Sequence, residues 1–235
     1  MPLHDQRALD LMMKVTKFFK PDAICNIGDL ANQDGPSRWA DGSADEVLNH
    51  LEPENRMVQN YWKDLRAKYP RADLHWTLGN HDIRAFDYIN KKAPALRDLV
   101  TPDVLWHTDK YGINLYDWNS PPQLKMGDVY LHHGSAVSKH SGGSVQSDID
   151  SWGVSLIRGH SHRVGTYFKT YELTGQMLRG YEIGHGMDIS KATYAQCHNW
   201  QQGMAIGIES DGVSHVQLIP FQNYSCYIGT KRFEA

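Results

Sequence analysis

The chain has 235 residues, 40% of them hydrophobic and 22% charged, with a formal net charge of -3; no linker divides it, so a single domain over 1–235 is expected. No apolar run approaches the roughly 18 residues of a bilayer span, and the N-terminus lacks a basic-then-apolar leader, so a cytoplasmic protein with no membrane partner is expected. The charge balance excludes global attraction for nucleic acid and leaves only local contact, while Cys25, Cys197 and Cys226 fit neither a disulfide framework nor a Cys-x-x-Cys zinc site and read as reduced thiols.

Residues 1–20 predict a short lead-in and then a helix, with Leu9, Leu11, Met12, Val15 and Phe18-Phe19 at roughly helical spacing and Pro21 as its stop. The stretch Asp22 to Asp29 reads as a short buried strand that ends in Gly28-Asp29. An aspartate at the carboxyl end of a strand points at the crevice where α/β proteins bind ligands. The alternative is a turn or helix-capping aspartate. Residues 30–43 read as a polar loop and 44–69 as a helical region interrupted near Pro53. Leu74-His75-Trp76-Thr77-Leu78 has the content of a strand and runs into Gly79-Asn80-His81-Asp82. A strand, a glycine, and polar residues able to bind metal or phosphate therefore occur twice.

Residues 84–101 predict a helix with Phe86, Ile89, Leu96 and Leu99 on its inner face. Three strands are expected at Val104 to Trp106, Ile113 to Tyr116 and Val129 to Leu131, the last running into His132-His133-Gly134. Adjacent strand residues point to opposite faces, so only one of the two histidines can enter a shared site. His133, directly before the glycine bend, is the preferred one, and His132 reads as a packed or partly exposed neighbour. Beyond a polar loop with Lys139 and His140, a helix is expected from Val145 to Trp152 and a strand from Val154 to Arg158. That strand ends in Gly159-His160-Ser161-His162, where the glycine permits the turn needed to aim both rings into one volume. Thr166 to Leu173, Met177 to Ile183, Met204 to Ser210 and Ser214 to Ile219 read as further strands, with Asp211-Gly212 as a hairpin turn. The pattern is α/β, alternating at first and mostly β at the end.

Four strand ends thus offer Asp29, Asn80 with His81, His133, and His160 with His162. One carboxylate, one amide oxygen and several imidazoles suit Mn2+, Fe2+ or Zn2+ better than the all-oxygen shells of Ca2+ or Mg2+. In this order the blocks resemble the calcineurin-like metallophosphoesterases, whose signature runs Asp-x-His, Gly-Asp, Gly-Asn-His-Asp or Gly-Asn-His-Glu, His before a glycine, and Gly-His-x-His. The tail from Cys197 through Phe221 resembles small phage and bacterial members of that family.

The resemblance implies a two-sheet β-sandwich flanked by helices (α-β-β-α), with two divalent metals, Mn2+ foremost, at the strand ends. It implies that Asp29 is shared by both metals, that Asn80, His133 and His160 complete one site, and that His162 serves the other. His81 would contact the phosphoryl group and assist the leaving oxygen, with Asp82 orienting it. The implied activity is phosphoester hydrolysis by a metal-activated water. Arg38, Trp39, Lys139, His140 and Arg163 fall on loops near the expected site and mix cations with an aromatic. They lean the reading towards a phosphodiesterase or nuclease acting on nucleic acid or a nucleotide; solvated loop residues are the plain alternative.

The sequence departs from the family pattern in two places. The Asp-x-His block is absent, so the metal served by His162 keeps only Asp29 and His162 as obvious ligands, and that site is expected to be weak or empty. The first strand of the fold is expected to be missing with it. A chain shortened upstream of Met1 is the preferred explanation, because losing a central strand exposes edges that a stable sheet covers. The other explanation is a natural variant using one metal or none, and the rival to an enzyme is a catalytically silent binding or scaffold module. His4 and Asp5 read as helix-start residues rather than substitute ligands. Asn32, three residues after Asp29, stands where relatives often carry another aspartate. The absence of His-Glu-x-x-His speaks against a zinc peptidase.

Overall fold

The architecture of the computed structural model, which describes residues 1–37, 51–192 and 199–235, is α/β with two principal β-sheets and accompanying helices. The chain divides into two compact units: Met1–Pro2 with Pro21–Trp118, and Leu3–Lys20 with Asn119–Ala235. Arg38, Trp39, Cys197 and the part of the expected helix before residue 51 lie outside the described residues.

In the first unit, β1 (Ala23–Asn26), β2 (Asp73–Thr77) and β3 (Ile113–Tyr116) form a parallel sheet in the order β1-β2-β3. Parallel neighbours need crossover connections, and the helix α2 (Leu51–Lys68) lies in the connection from β1 to β2. Asn26 pairs with Trp76 and Trp76 with Leu115, so neighbouring strands end side by side. The core is aromatic: Trp62 of α2, Trp76 of β2 and Trp106 are fully buried, with ring centroids 5.6 Å and 4.7 Å apart along the series. Buried indoles need acceptors. Trp106 Nε1 donates to Asn55 Oδ1 at 2.9 Å, and Trp76 Nε1 to Asp82 at 3.3 Å.

Leu51–Lys68 is continuous helix through Pro53, and the part of the expected region before residue 51 lies outside the described residues. Two local expectations are corrected here. The helix expected over 84–101 stops early, because Pro94 disfavours helical backbone at Ala93. Helix α3 (Arg84–Lys92) gives way to a 3-10 turn over Pro94–Leu99, and Leu96 and Leu99 are exposed rather than inside. The strand expected at Val104 to Trp106 is instead the end of a short helix, α4 (Pro102–Trp106). The Thr101 side chain accepts from Val104 N and Pro102 occupies the first helical position, a start signal that outweighs the β-branched content.

In the second unit, β4 (Leu124–Met126), β5 (Val129–His132), β6 (Ser155–Arg158), β7 (Val164–Thr170) and β8 (Met177–Ile183) form a sheet in the order β4-β5-β6-β8-β7. The central strands β5, β6 and β8 are parallel and in register at His132, Arg158 and Glu182, so their carboxyl ends line up. Helix α5 (Gly143–Trp152) packs Val145 and Ile149 against Leu156 and Leu178. Gly180 makes room for it, since a Cβ there would lie 2.7 Å from both Ile149 Cδ1 and Val145 Cγ2.

The same unit carries two hairpins. β9 (Gly203–Ser210) and β10 (Val213–Pro220) turn at Asp211-Gly212, both at positive φ as the sequence predicts. β11 (Ser225–Ile228) and β12 (Lys231–Glu234) form an unanticipated pair. Helix α1 (Gln6–Phe19) packs Leu11 and Val15 against Ile219, Cys226 and Phe233. Cys25 and Cys226 are free thiols, and burial pushes Cys25 up to about 12, which keeps it unreactive. Among the described residues no helix is long and apolar enough to cross a membrane.

Candidate metal centre

The first unit presents two strand-end blocks that interlock. Gly28 and Asp29 both adopt left-handed backbone, φ +84 and +54, which turns the chain sharply after β1. Asp29 Oδ1 accepts from His81 N at 2.9 Å. Asp82 is fully buried, and its carboxylate accepts from the backbone N–H of Asp29 at 2.8 Å, Ala31 at 2.7 Å and Gly79 at 2.7 Å, as well as from Trp76 Nε1. One carboxylate therefore ties the loop after β1 to the loop after β2. These backbone donors would otherwise be buried without acceptors.

His81 is held by Asn32 and Arg84. The Asn32 amide nitrogen donates to Asp34, so its Oδ1 is the acceptor that lies 2.7 Å from His81 Nδ1. On the other side of the ring, Arg84 NH2 lies 3.1 Å from His81 Nε2. Guanidinium has donors only, so the ring carries its proton on Nδ1 and accepts at Nε2. The Asn32 segment is itself pinned by Glu54, which accepts from the backbone N–H of Asn32 and of Gln33. Burial pushes the Glu54 carboxyl above the ordinary carboxylate range, opposed by the neighbouring α-amino group and these hydrogen bonds.

In the second unit the aligned ends of β5, β6 and β8 bring histidines together. His133 is buried, and its Nε2 lies 3.1 Å from His160 Nδ1, with the rings edge to face. His132 points elsewhere: its ring packs on Trp152 and its Nδ1 accepts from Gly134 N at 2.9 Å. His160 and His162 both sit at positive φ, +65 and +60, a conformation that costs a non-glycine residue on the order of 1 kcal/mol or more and that clusters at functional sites. The His162 ring stands 4.5 Å from Trp200 and 5.7 Å from His185, centroid to centroid. His185 Nδ1 accepts from Met187 N at 3.0 Å.

The loop residues expected to meet substrate are placed less tellingly. His140 is exposed, in the turn before α5. Arg163 is half-buried and donates from NH1 to Ser161 O at 3.1 Å, closing the Gly-His-Ser-His turn. Lys139 is exposed, and Arg38 lies outside the described residues.

The donors fit a borderline divalent metal. Asn80 Oδ1 is buried and, among the described residues, has no hydrogen-bond partner, which is costly for an amide oxygen unless a cation satisfies it. His133 and His160 turn ring nitrogens towards each other, as imidazoles do around a shared ion.

Among known proteins, the chain is 30% identical to the Gene 54 protein of Mycobacterium phage D29 and 29% identical to that of Mycobacterium phage L5, in each case over 93% of this chain and 89% of the relative. The chain belongs to the Gene 54 protein family. No protein-family model matches it.

Three residues of this Gene 54 family member, His185, Arg84 and Trp200, escaped sequence reasoning, and Asn32 was legible only as a departure from the family pattern, not as the partner of His81. His185 carried a legible signal, because Gly184-His185-Gly186 directly follows β8 and repeats the strand-glycine-histidine pattern. Arg84 and Asn32 follow the Gly-Asn-His-Asp and Gly-Asp blocks within three residues, but only the folded loops bring them to His81. Trp200 had no signal; it reaches His162 through backbone pairing of Gln201 N with His162 O at 3.0 Å.

Proposed function

We propose that this Gene 54 family member is a metal-dependent phosphoesterase of the calcineurin-like type, acting on a phosphodiester of nucleic acid or a nucleotide. The observation that carries the reading is that all four sequence blocks emerge at or just beyond the carboxyl ends of aligned parallel strands, two in each unit. Open α/β sheets bind ligands at such ends. In this reading the whole chain, 1–235, works as a single domain.

Asp29, Asn80, His133 and His160 hold one metal, and His162 with Asp29 contributes to a second. Asp29, His133 and His160 each offer one ligand atom, a carboxylate oxygen or an imidazole nitrogen. Mn2+ suits the mixed donors, with Fe2+ or Zn2+ as alternatives. A bound metal supplies Lewis acidity and lowers the pKa of the water that attacks phosphorus.

The chain's own residues do the remaining work. His81 keeps Nδ1–H on Asn32, which leaves Nε2 as the atom that takes up a proton and delivers it to the leaving oxygen, an effect typically worth about 10² to 10⁴ in rate. Asp82 supports it indirectly, by fixing the two loops from which Asp29 and His81 project. Arg163 and His140 flank the substrate.

The test measures bound metal and hydrolysis of a bis-aryl phosphodiester with added Mn2+, for this chain and for one extended upstream of Met1. Metal binding with turnover is expected in at least one of them, and no activity in either sinks the reading. His81→Ala should lower turnover about 100-fold or more while leaving metal content nearly intact, whereas Asp29→Ala should lose metal. Equal metal loss in both would mean that His81 is a ligand.

A further inference from the structure

We propose that Arg84 anchors the substrate: its guanidinium, now resting on the imidazole of His81, takes a non-bridging phosphoryl oxygen when substrate enters. The inference rests on the phosphoesterase reading above and adds to it a residue that binds the anion without a metal.

Arg84 is the first residue of α3, two positions beyond the Gly-Asn-His-Asp block. Its side chain is only 17% exposed, unlike the 55% of its ion-pair partner Asp34. NH1 donates to Asn32 O at 2.8 Å and to Asp34 Oδ1 at 2.9 Å, and NH2 donates to His81 Nε2 at 3.1 Å. The first two bonds fix the plane of the guanidinium. The third directs the NH2 edge at the ring nitrogen that faces the leaving oxygen in the proposed reaction.

A neutral imidazole is a modest acceptor for a cation. An anionic oxygen forms a charge-assisted bond roughly twice as strong, so a phosphoryl group placed beside His81 displaces the ring nitrogen from NH2. Nε–H and the second hydrogen of NH2 have no partner among the described residues, and the planar fork can present two parallel N–H groups to two oxygens of one phosphate. The same movement uncovers His81 Nε2 for the leaving oxygen. Substrate binding and the exposure of that nitrogen are therefore one event, and Arg84 is a positioning residue for His81 as well as an anchor.

The test compares Arg84→Ala and Arg84→Lys with the parent protein. Three quantities are read: affinity for inorganic phosphate by calorimetry, with and without Mn2+; KM and kcat for bis(4-nitrophenyl) phosphate; and metal content with thermal melting. Losing a charge-assisted hydrogen bond predicts phosphate affinity and KM worse by about 10- to 100-fold for Arg84→Ala. Arg84→Lys should recover part of the affinity but not the fork geometry, and metal content should stay at the parent level. An Arg84 that only ties the loop at Asn32 and Asp34 would lower the melting temperature and leave phosphate affinity and KM unchanged, which overturns the proposal. Parent protein that hydrolyses the diester while Arg84→Ala keeps its KM sinks the anchor and spares the enzyme reading. Parent protein that binds phosphate through Arg84 yet hydrolyses nothing sinks the enzyme reading and spares the anchor. No phosphate binding by the parent overturns the anchor outright.

Discussion

A Cβ placed on Gly79 would lie 2.3 Å from Oδ1 of Asp29 and 2.6 Å from its backbone nitrogen. The two strand-end loops of the first unit thus touch at a glycine, and the touching group is the carboxylate proposed to hold metal. Gly79→Ala should force Asp29 away at a cost of about 1–3 kcal/mol. Metal content by elemental analysis should fall with it, and a variant that keeps parental metal and melting temperature would show that the loops yield freely.

Asp82 accepts four hydrogen bonds from two loops and an indole. Asp82→Ala leaves several buried donors unsatisfied, each costing about 1–3 kcal/mol. It should therefore depress stability and metal binding together. Urea unfolding beside metal analysis separates this from a role limited to orienting His81, which would lower turnover in a protein of normal stability.

Arg158 ends β6 directly before the Gly-His-Ser-His turn and is completely buried, with NH1 3.2 Å from Asp148 Oδ2 and NH2 donating to Ala136 O at 2.8 Å. It fills the space beside Gly134, where a Cβ would meet its guanidinium at 2.2–2.5 Å. Burial pushes the Asp148 carboxyl up and Arg158 opposes that shift. Asp148→Ala would remove the nearest carboxylate from a buried cation, leaving it the more remote attraction of buried Glu182, and should cost about 3 kcal/mol, whereas the double change Asp148→Leu with Arg158→Met should recover part of the loss. Additive loss in the double variant would argue that each side chain acts alone.

Asp5 caps α1. Its Oδ1 accepts from Arg7 N at 2.9 Å and Ala8 N at 3.3 Å, and its Oδ2 from Gln202 Nε2 and Tyr224 Oη, both at 2.9 Å. Burial raises its carboxyl pKa, but these hydrogen bonds together outweigh burial and hold it below the ordinary value. A depressed folded pKa stabilises the protein above the unfolded value of about 3.9 and loses that contribution as pH falls through the folded one. Asp5→Ala should cost about 1–2 kcal/mol at pH 7, and the gap to the parent should narrow as pH is lowered below 4. A gap that is constant with pH would mean that the charge contributes nothing.

Much of this protein was legible in its sequence because strand content and strand-end residues are local properties. The strands at Ile113–Tyr116, Val129–His132, Ser155–Arg158 and Met177–Ile183 follow from β-branched and aromatic runs bounded by glycines. The misread segment at Val104 to Trp106 fails for an equally local reason, the Thr-Pro start signal that was outvoted by composition. β11 and β12 were missed because short edge pairs carry little periodicity.

By itself the sequence determined which residue types stand at the strand ends, and hence the metal chemistry they suit: Asp29, Asn80, His81, His133, His160 and His162 are readable in chain order. Tertiary structure alone decided which side chains support them. Asn32, not a neighbour in the block, holds His81 Nδ1; Arg84 folds back onto Nε2; and Asp82 spends its carboxylate on two loops. His185 and Trp200 reach His162 only because parallel β6 and β8 end level and the chain returns at Gln201. Ligand types are written into local motifs, whereas hydrogen-bond partners depend on distances across loops that no spacing in the sequence encodes.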